Sequence, residues 1–265
     1  MRLMLYPALM DVRTALITGA SSGIGAALAE SLARPGATLH LSGRDPARLE
    51  AVANACRKRG AVANAEVLDV RDVDAMAAWI GGAGQLDLVV ANAGISGRSR
   101  DGGPENAEHT RAIFDINLDG VLNTVLPAMS MMERQPPGAD GVRGRIAAVA
   151  SIAAFMAAPD SAAYCASKAA VHGWMLASAP DARKRGIVLT SVCPGFIRTA
   201  MTAGYQFPMP GLMDAERAAA IILRGLTAER VRVVFPWWMG LAARFAGLLP
   251  PRLMASVTRL SKRSG

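Results

Sequence analysis

The sequence predicts a single α/β domain, built on one doubly wound parallel sheet of about seven strands with helices on both faces. Short apolar or β-branched runs alternate with alanine-rich helical stretches, and Gly, Asp or Pro residues separate them. Because strand–helix–strand crossovers run the strands in one direction, this alternation favours a parallel sheet that is covered on both sides. A chain of 265 residues that is 52% hydrophobic can bury one substantial core.

The predicted elements follow the alternation in order along the chain. Strands are predicted over residues 14–18, 38–41, 63–68, 86–91, 145–150, 187–192 and 232–235. Helices are predicted over residues 24–34, 46–59, 73–80, 108–132, 162–185 and 214–226. The chain therefore divides into an N-terminal extension (1–12), the sheet domain (13–235) and a C-terminal extension with helical pattern (236–265).

Composition excludes several classes of protein. The three cysteines, Cys56, Cys165 and Cys193, are odd in number and lack Cys-x-x-Cys spacing, so we expect no disulfide framework, no metal cluster and a reducing, cytoplasmic setting. No apolar run reaches the roughly 18 residues of a membrane-spanning helix. The first ten residues carry one Arg and no small-residue cleavage site. We interpret them as an extension, or as an upstream start ahead of Met10, and not as a signal peptide.

The net charge of +8 is concentrated near the end of the chain. No acidic residue follows Glu229, whereas seven basic residues do, which leaves a net charge of +1 on residues 1–229. A nucleic-acid binder carries its positive charge on the folded surface, so we expect no nucleic-acid partner. The seven basic residues are Arg230, Arg232, Arg244, Arg252, Arg259, Lys262 and Arg263.

A glycine-rich loop, residues 18–25 (TGASSGIG), joins the first predicted strand to the first predicted helix. Glycines allow the backbone to approach a pyrophosphate closely, and the N–H groups at a helix start favour its negative charge. Strand, loop and helix in this order predict a dinucleotide site, although the loop alone would also suit an ordinary Gly-Ser turn.

The second predicted strand ends in Ser42-Gly43-Arg44, without the acid that often contacts the ribose hydroxyls of NAD. An arginine here can bind a 2′-phosphate through two charge-assisted hydrogen bonds. The sequence therefore favours NADP(H), with NAD(H) as the alternative, and a solvated loop charge is the other interpretation of Arg44. Asp45 before Pro46 is typical of a helix N-cap, so it does not supply the missing acid.

Tyr164 and Lys168 are one turn apart in the helix predicted over residues 162–185. This spacing places the phenol and the ammonium on one face, where the positive charge lowers the pKa of the tyrosine from about 10. A tyrosine tuned in this way can exchange a proton with a substrate oxygen. Taken alone, the pair would equally suit a half-exposed helix face.

In combination, these motifs resemble those of the short-chain dehydrogenase/reductase (SDR) family, from Thr14 to about Phe235. The loop of residues 18–25 matches the family's TGxxxGxG pattern, and Asn92-Ala93-Gly94 matches its NAG turn after the fourth strand. Ser151 lies thirteen residues before Tyr164, as in the family. The resemblance implies a Rossmann-type fold and a catalytic set of Asn117, Ser151, Tyr164 and Lys168.

The resemblance also implies how these residues act. Tyr164 would be the general acid in reduction and the base in oxidation, Lys168 would lower its pKa and hold the nicotinamide ribose, and Ser151 would polarise the substrate carbonyl. Asn117 would fix a water that connects Lys168 to solvent. The implied cofactor contacts are Gly19, Ser21, Ser22, Gly23, Ile24, Gly25, Arg44, Asp69, Val70, Asn92, Ala93, Gly94, Tyr164, Lys168, Pro194, Gly195, Ile197 and Thr199.

Two segments outside the motifs bear on substrate and partners. Residues 200–213 are short and apolar, which suits a hydrophobic ketone, aldehyde or alcohol, or simply packs a lid against the domain. In the C-terminal extension, Trp238, Leu241, Phe245 and Leu248 form a helical stripe. Arg244, Arg252 and Arg259 lie outside the stripe, and Pro250-Pro251 breaks the segment into two pieces. The stripe indicates either packing, on this chain or a partner subunit, or peripheral contact with a membrane surface.

The oligomeric state and one rival function complete the expectations. The resemblance implies a homodimer or homotetramer built on the helices that carry Asn117 and Tyr164. Neither His40 nor His172 has metal-ligand spacing, and packing or a subunit contact is the interpretation of His172. The alternative function is a non-catalytic, regulatory or redox-sensing NAD(P)-binding protein, whose mark would be a lost Ser, Tyr or Lys.

Overall fold

The computed structural model describes residues 12–96, 105–158, 161–204 and 208–249. Within these ranges seven strands form one parallel sheet in the order β3-β2-β1-β4-β5-β6-β9, and β7 and β8 form a separate pair. The strands are β1 (Thr14–Ile17), β2 (Thr38–Gly43), β3 (Val62–Val67), β4 (Leu88–Ala91), β5 (Gly144–Val149), β6 (Ile187–Pro194), β7 (Ile197–Arg198), β8 (Met213–Asp214) and β9 (Arg232–Phe235).

Eight α-helices accompany the strands in the described part of the chain. They are α1 (Gly23–Leu32), α2 (Pro46–Lys58), α3 (Val73–Gly82), α4 (Ala107–Phe114), α5 (Gly120–Arg134), α6 (Ala162–Lys184), α7 (Ala215–Thr227) and α8 (Trp237–Gly247). A π-helix (Asp115–Asp119) joins α4 to α5, and a 3₁₀-helix (Ile152–Phe155) follows β5.

Helices cover both faces of the sheet, as the sequence predicts. One core cluster includes Leu28 of α1, Leu49 of α2 and Ile222 of α7, and the other includes Val125 of α5 and Met175 of α6. Every residue of β4 and β6 is buried, because both faces of these strands contact a core. This explains why the strands appear in the sequence as continuous apolar runs and not as alternating patterns.

The sheet order creates a crevice at the carboxyl ends of the central strands. The chain proceeds outward from β1 to β3 and then crosses back to place β4 on the other side of β1. At this switch point the connections leaving β1 and β4 diverge, which is where doubly wound sheets bind ligands. The glycine-rich loop follows β1, and Asn92 follows β4.

The helix predicted over residues 108–132 is interrupted. Residues Asp115–Asp119 form a π-helix, which joins the eight-residue α4 to the fifteen-residue α5. The strand predicted over residues 86–91 is also shorter, because Leu86 uses its backbone N–H and carbonyl to bind the side-chain amide of Gln135. The interrupted helix involves a shift in hydrogen-bond register, and the shorter strand involves a contact with the distant Gln135. The periodicity of the sequence indicates neither.

The predicted C-terminal stripe lies on α8 and on the turn after it, and it faces solvent. Trp238, Leu241, Phe245 and Leu248 are 43–81% exposed, whereas the opposite side of α8 contacts the domain. The prediction that this stripe packs against the chain's own domain is therefore wrong for the described residues. Residues 1–11 and 250–265, which include Arg252 and Arg259, lie outside the described ranges, and no described helix is long and apolar enough to cross a membrane.

Candidate active site

The glycine-rich loop packs tightly against the segment that follows β4. Gly19 and Gly23 have positive φ angles of 63° and 56°, a conformation that L side chains rarely adopt. A Cβ on Gly19 would lie 2.8 Å from Ala93 Cα, and one on Gly25 would lie 2.4 Å from the carbonyl oxygen of Gly19. Glycine at these positions therefore lets the loop close over β4, with the start of α1 at the carboxyl edge of the sheet.

Side chains of Thr18 and Asn92 hold the two segments together. Thr18 Oγ1 accepts hydrogen bonds from the backbone N–H groups of Asn92 (3.0 Å) and Ala93 (3.2 Å). In return, Asn92 Nδ2 donates to the carbonyl oxygens of Thr18 and Gly19, both at 3.1 Å. The loop is thus fixed before any ligand binds, since these four bonds join β1 to β4 at their carboxyl ends.

The first turn of α1 is open to an anion. Ser22 is its N-cap residue and forms no side-chain hydrogen bond to the helix. The N–H groups of a first helical turn have no intrahelical partner, and they favour negative charge. The loop also meets the segment after β6, since a Cβ on Gly23 would lie 2.8 Å from Thr199 Cγ2.

Asn117 lies in the π-helix and is fully buried. Its Oδ1 accepts a hydrogen bond from the backbone N–H of Ile95 (2.8 Å), and its Nδ2 donates to the Ile95 carbonyl (3.0 Å). A second, longer bond of 3.5 Å joins Asn117 Nδ2 to Ser167 Oγ in α6. The extra residue of the π-helix thus turns an amide toward both the strand-end segment and the helix that carries Tyr164.

Tyr164 and Lys168 share one face of α6, as their spacing predicts. Lys168 Nζ lies 5.9 Å from the centroid of the Tyr164 ring and donates a 2.8 Å hydrogen bond to the carbonyl oxygen of Val149. A Cβ on Gly94 would lie 3.1 Å from Asn117 Oδ1 and 3.4 Å from Lys168 Nζ. The structure therefore places Asn117 and Lys168 next to each other, in contact with the turn after β4.

Burial controls the charge of Lys168. The side chain is 4% exposed, and the loss of hydration lowers its pKa from 10.5 to about 8. A pKa near 8 leaves the ammonium as the main form at neutral pH, while its proton is much easier to lose than that of a surface lysine. An ammonium beside a phenol favours ionisation of the phenol.

Ser151 follows β5 and begins the 3₁₀-helix. It is 8% exposed, and its Oγ accepts a hydrogen bond from the backbone N–H of Ala153 (3.1 Å). Val149, which binds the Lys168 ammonium, precedes it by two residues. The Ser151 oxygen is the acceptor in this bond, so its O–H can act as the donor to a substrate oxygen.

Behind Ser151 lies a buried cluster of His172, Ser191 and Cys193. His172 Nδ1 is 2.8 Å from Ser191 Oγ and 3.5 Å from Cys193 Sγ, and its ring meets Phe155 edge-on at 5.0 Å. Burial, followed by the charges of Arg232 and Arg244, lowers the pKa of His172 to about 4, and burial raises that of Cys193 to about 11. Both groups are neutral at pH 7, in agreement with a packing role for His172.

Arg44 and Asp69 follow the carboxyl ends of β2 and β3. Arg44 is exposed directly after β2, and it forms no ion pair within the described part of the chain. Asp69 pairs with Arg71 at 2.6 Å, and this hydrogen-bonded guanidinium lowers the pKa of Asp69, with a smaller contribution from the charge of Arg44. The adjacent Val70 is buried against Gly120, where a Cβ would lie 2.5 Å from Val70 Cγ2.

The segment after β6 is anchored at both ends. The Gly195 backbone N–H donates to the Phe235 carbonyl (2.7 Å), and β7, which contains the buried Ile197, pairs with β8. Thr202 Oγ1 donates to the Ile197 carbonyl (2.7 Å) and accepts from the Thr199 N–H (3.1 Å). In the lid Met201 is exposed and Met209 is half-buried, while residues 205–207, including the aromatic Tyr205 and Phe207, lie outside the described ranges.

Glu105 is a residue of the site that sequence reasoning missed. Its carboxylate accepts hydrogen bonds from the backbone N–H groups of Ala163 (2.8 Å) and Tyr164 (3.3 Å). Ser161, the N-cap residue of α6, forms no side-chain bond to the helix, so Glu105 caps α6 from a distant segment. The sequence carries no local signal for this contact, because the two residues are 59 positions apart.

Within the described residues no group of His, Cys, Asp and Glu side chains is arranged to hold a metal ion. The candidate site combines a glycine-rich loop at a helix start, a tyrosine beside a buried lysine, and a serine hydroxyl, all at the carboxyl edge of the sheet.

Comparisons with known proteins point in the same direction. A family model described as short chain dehydrogenase matches residues 13–207. An uncharacterized oxidoreductase from Myxococcus xanthus is 38% identical over 262 residues, which cover 94% of this chain and 98% of that protein.

Two similar solved structures contain nicotinamide cofactors. One is a short-chain dehydrogenase from Sphingobium yanoikuyae in complex with NADPH, with 26% identity, a TM-score of 0.76, and coverage of 89% of this chain and 95% of that chain. The other is a short chain dehydrogenase from Mycobacterium paratuberculosis bound to NAD, with 26% identity, a TM-score of 0.71, and coverage of 84% and 94%.

Proposed function

This chain belongs to the short-chain dehydrogenase family of oxidoreductases, and from that premise we propose that it is an NADP(H)-dependent enzyme that interconverts an apolar ketone or aldehyde and its alcohol. Tyr164 is the proposed proton donor and acceptor. The observation that carries the proposal is the buried Lys168 ammonium beside the Tyr164 ring, at the same strand edge as the glycine-rich loop.

The residues at this edge fit a dinucleotide. Glycines 19, 23 and 25 keep the loop free of side chains where it closes on β4 and Thr199, and the first turn of α1 offers N–H groups to a pyrophosphate. Asn92, Ala93 and Gly94 would flank the cofactor on the other side of the crevice. Lys168 and the 194–199 segment would hold its nicotinamide end. When bound, the nicotinamide supplies or accepts the hydride.

The preference for NADP(H) rests on Arg44. This residue is exposed and forms no ion pair in the described part of the chain, whereas the neighbouring Asp69 is already paired with Arg71. A guanidinium without a carboxylate partner favours a ribose 2′-phosphate, which it can bind through two parallel hydrogen bonds. The pair of Asp69 and Arg71 would then border the adenine.

The proton chemistry follows from the positions of three side chains. In reduction Tyr164 donates its phenolic proton to the substrate oxygen, and in oxidation the tyrosinate removes that proton from the alcohol. The Lys168 ammonium stabilises the tyrosinate, because its positive charge lies on the same helix face. Ser151 donates its O–H to the same substrate oxygen and polarises the carbonyl.

Asn117 has a positioning role in this scheme. It binds both polar backbone groups of Ile95, which fixes the turn that contacts Lys168 at Gly94. The turn then presents a constant surface to Lys168 and to the nicotinamide ribose. Asn117 also fixes, in this proposal, a water that connects Lys168 to solvent, as the family resemblance implies.

The composition of the lid, residues 200–213, favours an apolar substrate. Residues 200–213 contain no charged side chain, and the described part includes Met201, Met209, Leu212 and Met213. A substrate with a phosphate or another anionic group would find no cation here to bind it. Competitive inhibition by sugar phosphates, together with none by apolar ketones, would contradict this proposal.

We also expect the enzyme to be a homodimer or homotetramer built on α5 and α6. Leu126 of α5 is 51% exposed, so it offers a position at which this interface can be tested. Light scattering after size-exclusion chromatography should give a multiple of 27.7 kDa. The change Leu126→Glu should shift it toward the monomer, whereas an unchanged mass would place the interface elsewhere.

The decisive experiment is a fluorescence titration of NADPH and NADH, followed by turnover of a panel of apolar carbonyls. Arg44→Ala should weaken NADPH binding about tenfold and leave NADH binding unchanged, since only NADPH carries the 2′-phosphate. Arg59→Ala is the matched control, because Arg59 is an exposed cation at the far end of α2 that pairs with Glu30.

The same preparation tests the catalytic proposal. Tyr164→Phe should retain nucleotide binding while turnover falls by about 10²–10⁴, the usual contribution of general acid–base catalysis. Folded protein that binds neither nucleotide would overturn the cofactor proposal. Full turnover in Tyr164→Phe would assign the proton transfer to another group.

A further inference from the structure

The helix α8 and the two residues after it carry a second apolar face that the domain does not cover. Its side chains are 40–81% exposed. With about 100° between successive residues, and with the helical path extended over the last two, they fall within a sector of about 120°. We call this sector the outer face of α8. It consists of Trp237, Trp238, Leu241, Phe245, Leu248 and Leu249.

The opposite side of α8 is fixed against the domain, so the outer face cannot turn inward. A Cβ on Gly240 would lie 2.2 Å from Val234 Cγ1, and one on Gly247 would lie 2.1 Å from the Phe155 carbonyl oxygen. Met239 and Ala243 are buried on this side. The Arg244 guanidinium lies 4.7 Å from the Phe155 ring centroid, which further holds the helix in place.

A helix that is apolar on both sides normally has a partner on both sides. Exposed apolar patches mark interaction surfaces, and this one combines two tryptophans, a phenylalanine and three leucines. Within the described residues nothing covers it, because each of the six side chains is at least 40% exposed. The question is which partner fits.

Charge identifies the partner. No acidic residue follows Glu229, so α8 and all residues after it carry only positive side-chain charges. The basic residues after α8 are Arg252, Arg259, Lys262 and Arg263. Tryptophan and phenylalanine with adjacent cations are the composition of helices that lie in the interface of an anionic bilayer.

A second copy of the chain fits less well. In a two-fold interface the same patch meets itself, so two segments that each carry only positive side-chain charges would be brought together. No acidic side chain in the same segment could compensate, because none follows Glu229. An anionic lipid surface, in contrast, attracts every one of these charges.

We propose that the outer face of α8 docks on the surface of an anionic lipid bilayer, whose negative charge attracts the basic C-terminal segment. Docking is peripheral, since the eleven residues of α8 extend about 16 Å and the hydrocarbon core is about 30 Å thick. The two tryptophans lie at the level of the headgroups, and the leucines and Phe245 enter the acyl boundary.

Docking would also orient the lid, a consequence that rests on the function proposed above. A Cβ on Gly211 would lie 3.1 Å from Trp238 Cζ2, so the lid contacts the docking helix directly. An apolar substrate dissolved in the bilayer would then reach the lid without crossing water. Vesicle binding itself requires neither substrate nor turnover, so a failure of docking and a failure of catalysis can be told apart.

The test is flotation of the full chain with phosphatidylcholine vesicles, with and without phosphatidylglycerol. We expect binding to the anionic vesicles that weakens at high salt, and little binding to the neutral ones. A variant that combines Trp237→Gln, Phe245→Gln and Leu248→Gln should lose binding about tenfold or more. A combined Arg252→Gln, Arg259→Gln and Lys262→Gln variant should bind both vesicle types equally weakly.

The matched control changes three exposed valines elsewhere, Val62→Gln, Val67→Gln and Val73→Gln, which are 55–58% exposed on β3 and α3. This variant should bind like the wild type. Failure of the wild type to bind anionic vesicles, or equal binding by the α8 variant, would overturn the proposal. A fall in oligomer mass of the α8 variant, with vesicle binding unchanged, would instead assign the outer face to a second copy.

Quenching of tryptophan fluorescence by brominated lipids provides a readout that does not depend on any variant. Trp237 and Trp238 are exposed on the outer face, at 74% and 43%. We expect quenching of the wild type in anionic brominated vesicles. Bound protein without quenching would show that the contact is electrostatic only and that the outer face stays in water.

Discussion

The carboxylate of Glu105 accepts a hydrogen bond from the backbone N–H of Tyr164 at 3.3 Å. A second bond, from the Ala163 N–H at 2.8 Å, completes a cap on the first turn of α6. The N-terminus of a helix has N–H groups without intrahelical partners, and a negative charge there is favourable. Glu105 therefore stabilises the same helical turn that presents the proposed catalytic tyrosine.

Removal of this cap should affect both stability and the tyrosine. Glu105→Ala should lower the free energy of unfolding by about 1 kcal/mol, the usual contribution of a cap, and Glu105→Gln should lower it less. Loss of the negative charge in Glu105→Gln favours the tyrosinate, so the pH dependence of kcat should shift to lower pH. Urea denaturation and a pH–rate profile measure the two effects.

Asn106→Ala is the control for Glu105. Asn106 follows Glu105 in the sequence but caps a different helix, α4. Its side-chain oxygen accepts a 2.8 Å hydrogen bond from the His109 N–H. It should lose a similar amount of stability and keep the wild-type pH profile. If the two variants shift the profile equally, Glu105 has a structural role only.

The buried Lys168 predicts a specific dependence of stability on pH. Its pKa is about 8 in the folded protein and 10.5 as the ordinary value, so between these pH values the unfolded chain binds one proton more. Stability therefore rises with pH in this window, and the full cost of burying the ammonium is present below pH 8. Relative to Lys168→Met, the cofactor-free wild type should gain about 3 kcal/mol from pH 8 to 10.5.

The comparison with Lys168→Met removes the contribution of other groups that titrate in this range, such as the buried Cys193, whose pKa is about 11. Denaturant unfolding at several pH values gives both curves. Parallel curves for the two proteins would mean that Lys168 keeps an ordinary pKa.

Gly94 tests the contact between Asn117 and Lys168. An added Cβ would lie 3.1 Å from Asn117 Oδ1 and 3.4 Å from Lys168 Nζ, so Asn117 must shift by a few tenths of an ångström in Gly94→Ala, next to a lysine that is already at contact distance. We expect turnover to fall about tenfold or more, because small displacements of catalytic groups are costly. Gly81→Ala in α3 meets nothing within 4 Å and should stabilise the protein by about 0.5–1 kcal/mol at full activity. Equal activity in both variants would contradict the prediction.

Thr18 tests the coupling between the glycine-rich loop and β4. Thr18→Val keeps the shape of the side chain but leaves the N–H groups of Asn92 and Ala93 without their acceptor. The expected losses are about 1–3 kcal/mol of stability and a weaker affinity for NADPH. Thr190→Val removes another buried hydroxyl, which donates to the Arg230 carbonyl at 2.8 Å, and it should lower stability alone. Calorimetry and nucleotide titration of both variants separate the effects.

Much of the fold could be predicted because its elements are periodic and long. The seven main strands all lie within a few residues of their predicted positions, and β9 begins and ends where expected. Crossovers through helices require parallel strands, so the sheet and its two covered faces followed from the order of elements. The spacing of Tyr164 and Lys168 likewise predicted a shared helix face, since one turn separates them.

Features that depend on distant contacts could not be predicted. The helix predicted over residues 108–132 contains Gly120 and Pro127, but neither residue type indicates a π-helix at Asp115–Asp119; the register changes where Asn117 binds Ile95. The capping of α6 by Glu105 was missed in the same way, whereas the pairing of Asp69 with Arg71 is a local contact that depends on the conformation of the two side chains. Each depends on side-chain geometry that residue type and local spacing leave open.

The sequence by itself determined the α/β class, the order of the elements and the residue types that meet at the carboxyl edge of the sheet. Local chemistry is sufficient for these, because periodicity, glycine and proline act within a few residues. Only the tertiary structure decided that Lys168 is buried against Val149, that Glu105 caps the tyrosine's helix, and that the outer face of α8 points to solvent. Burial and direction are properties of packing between distant segments, and they determine the pKa values and surfaces on which function depends.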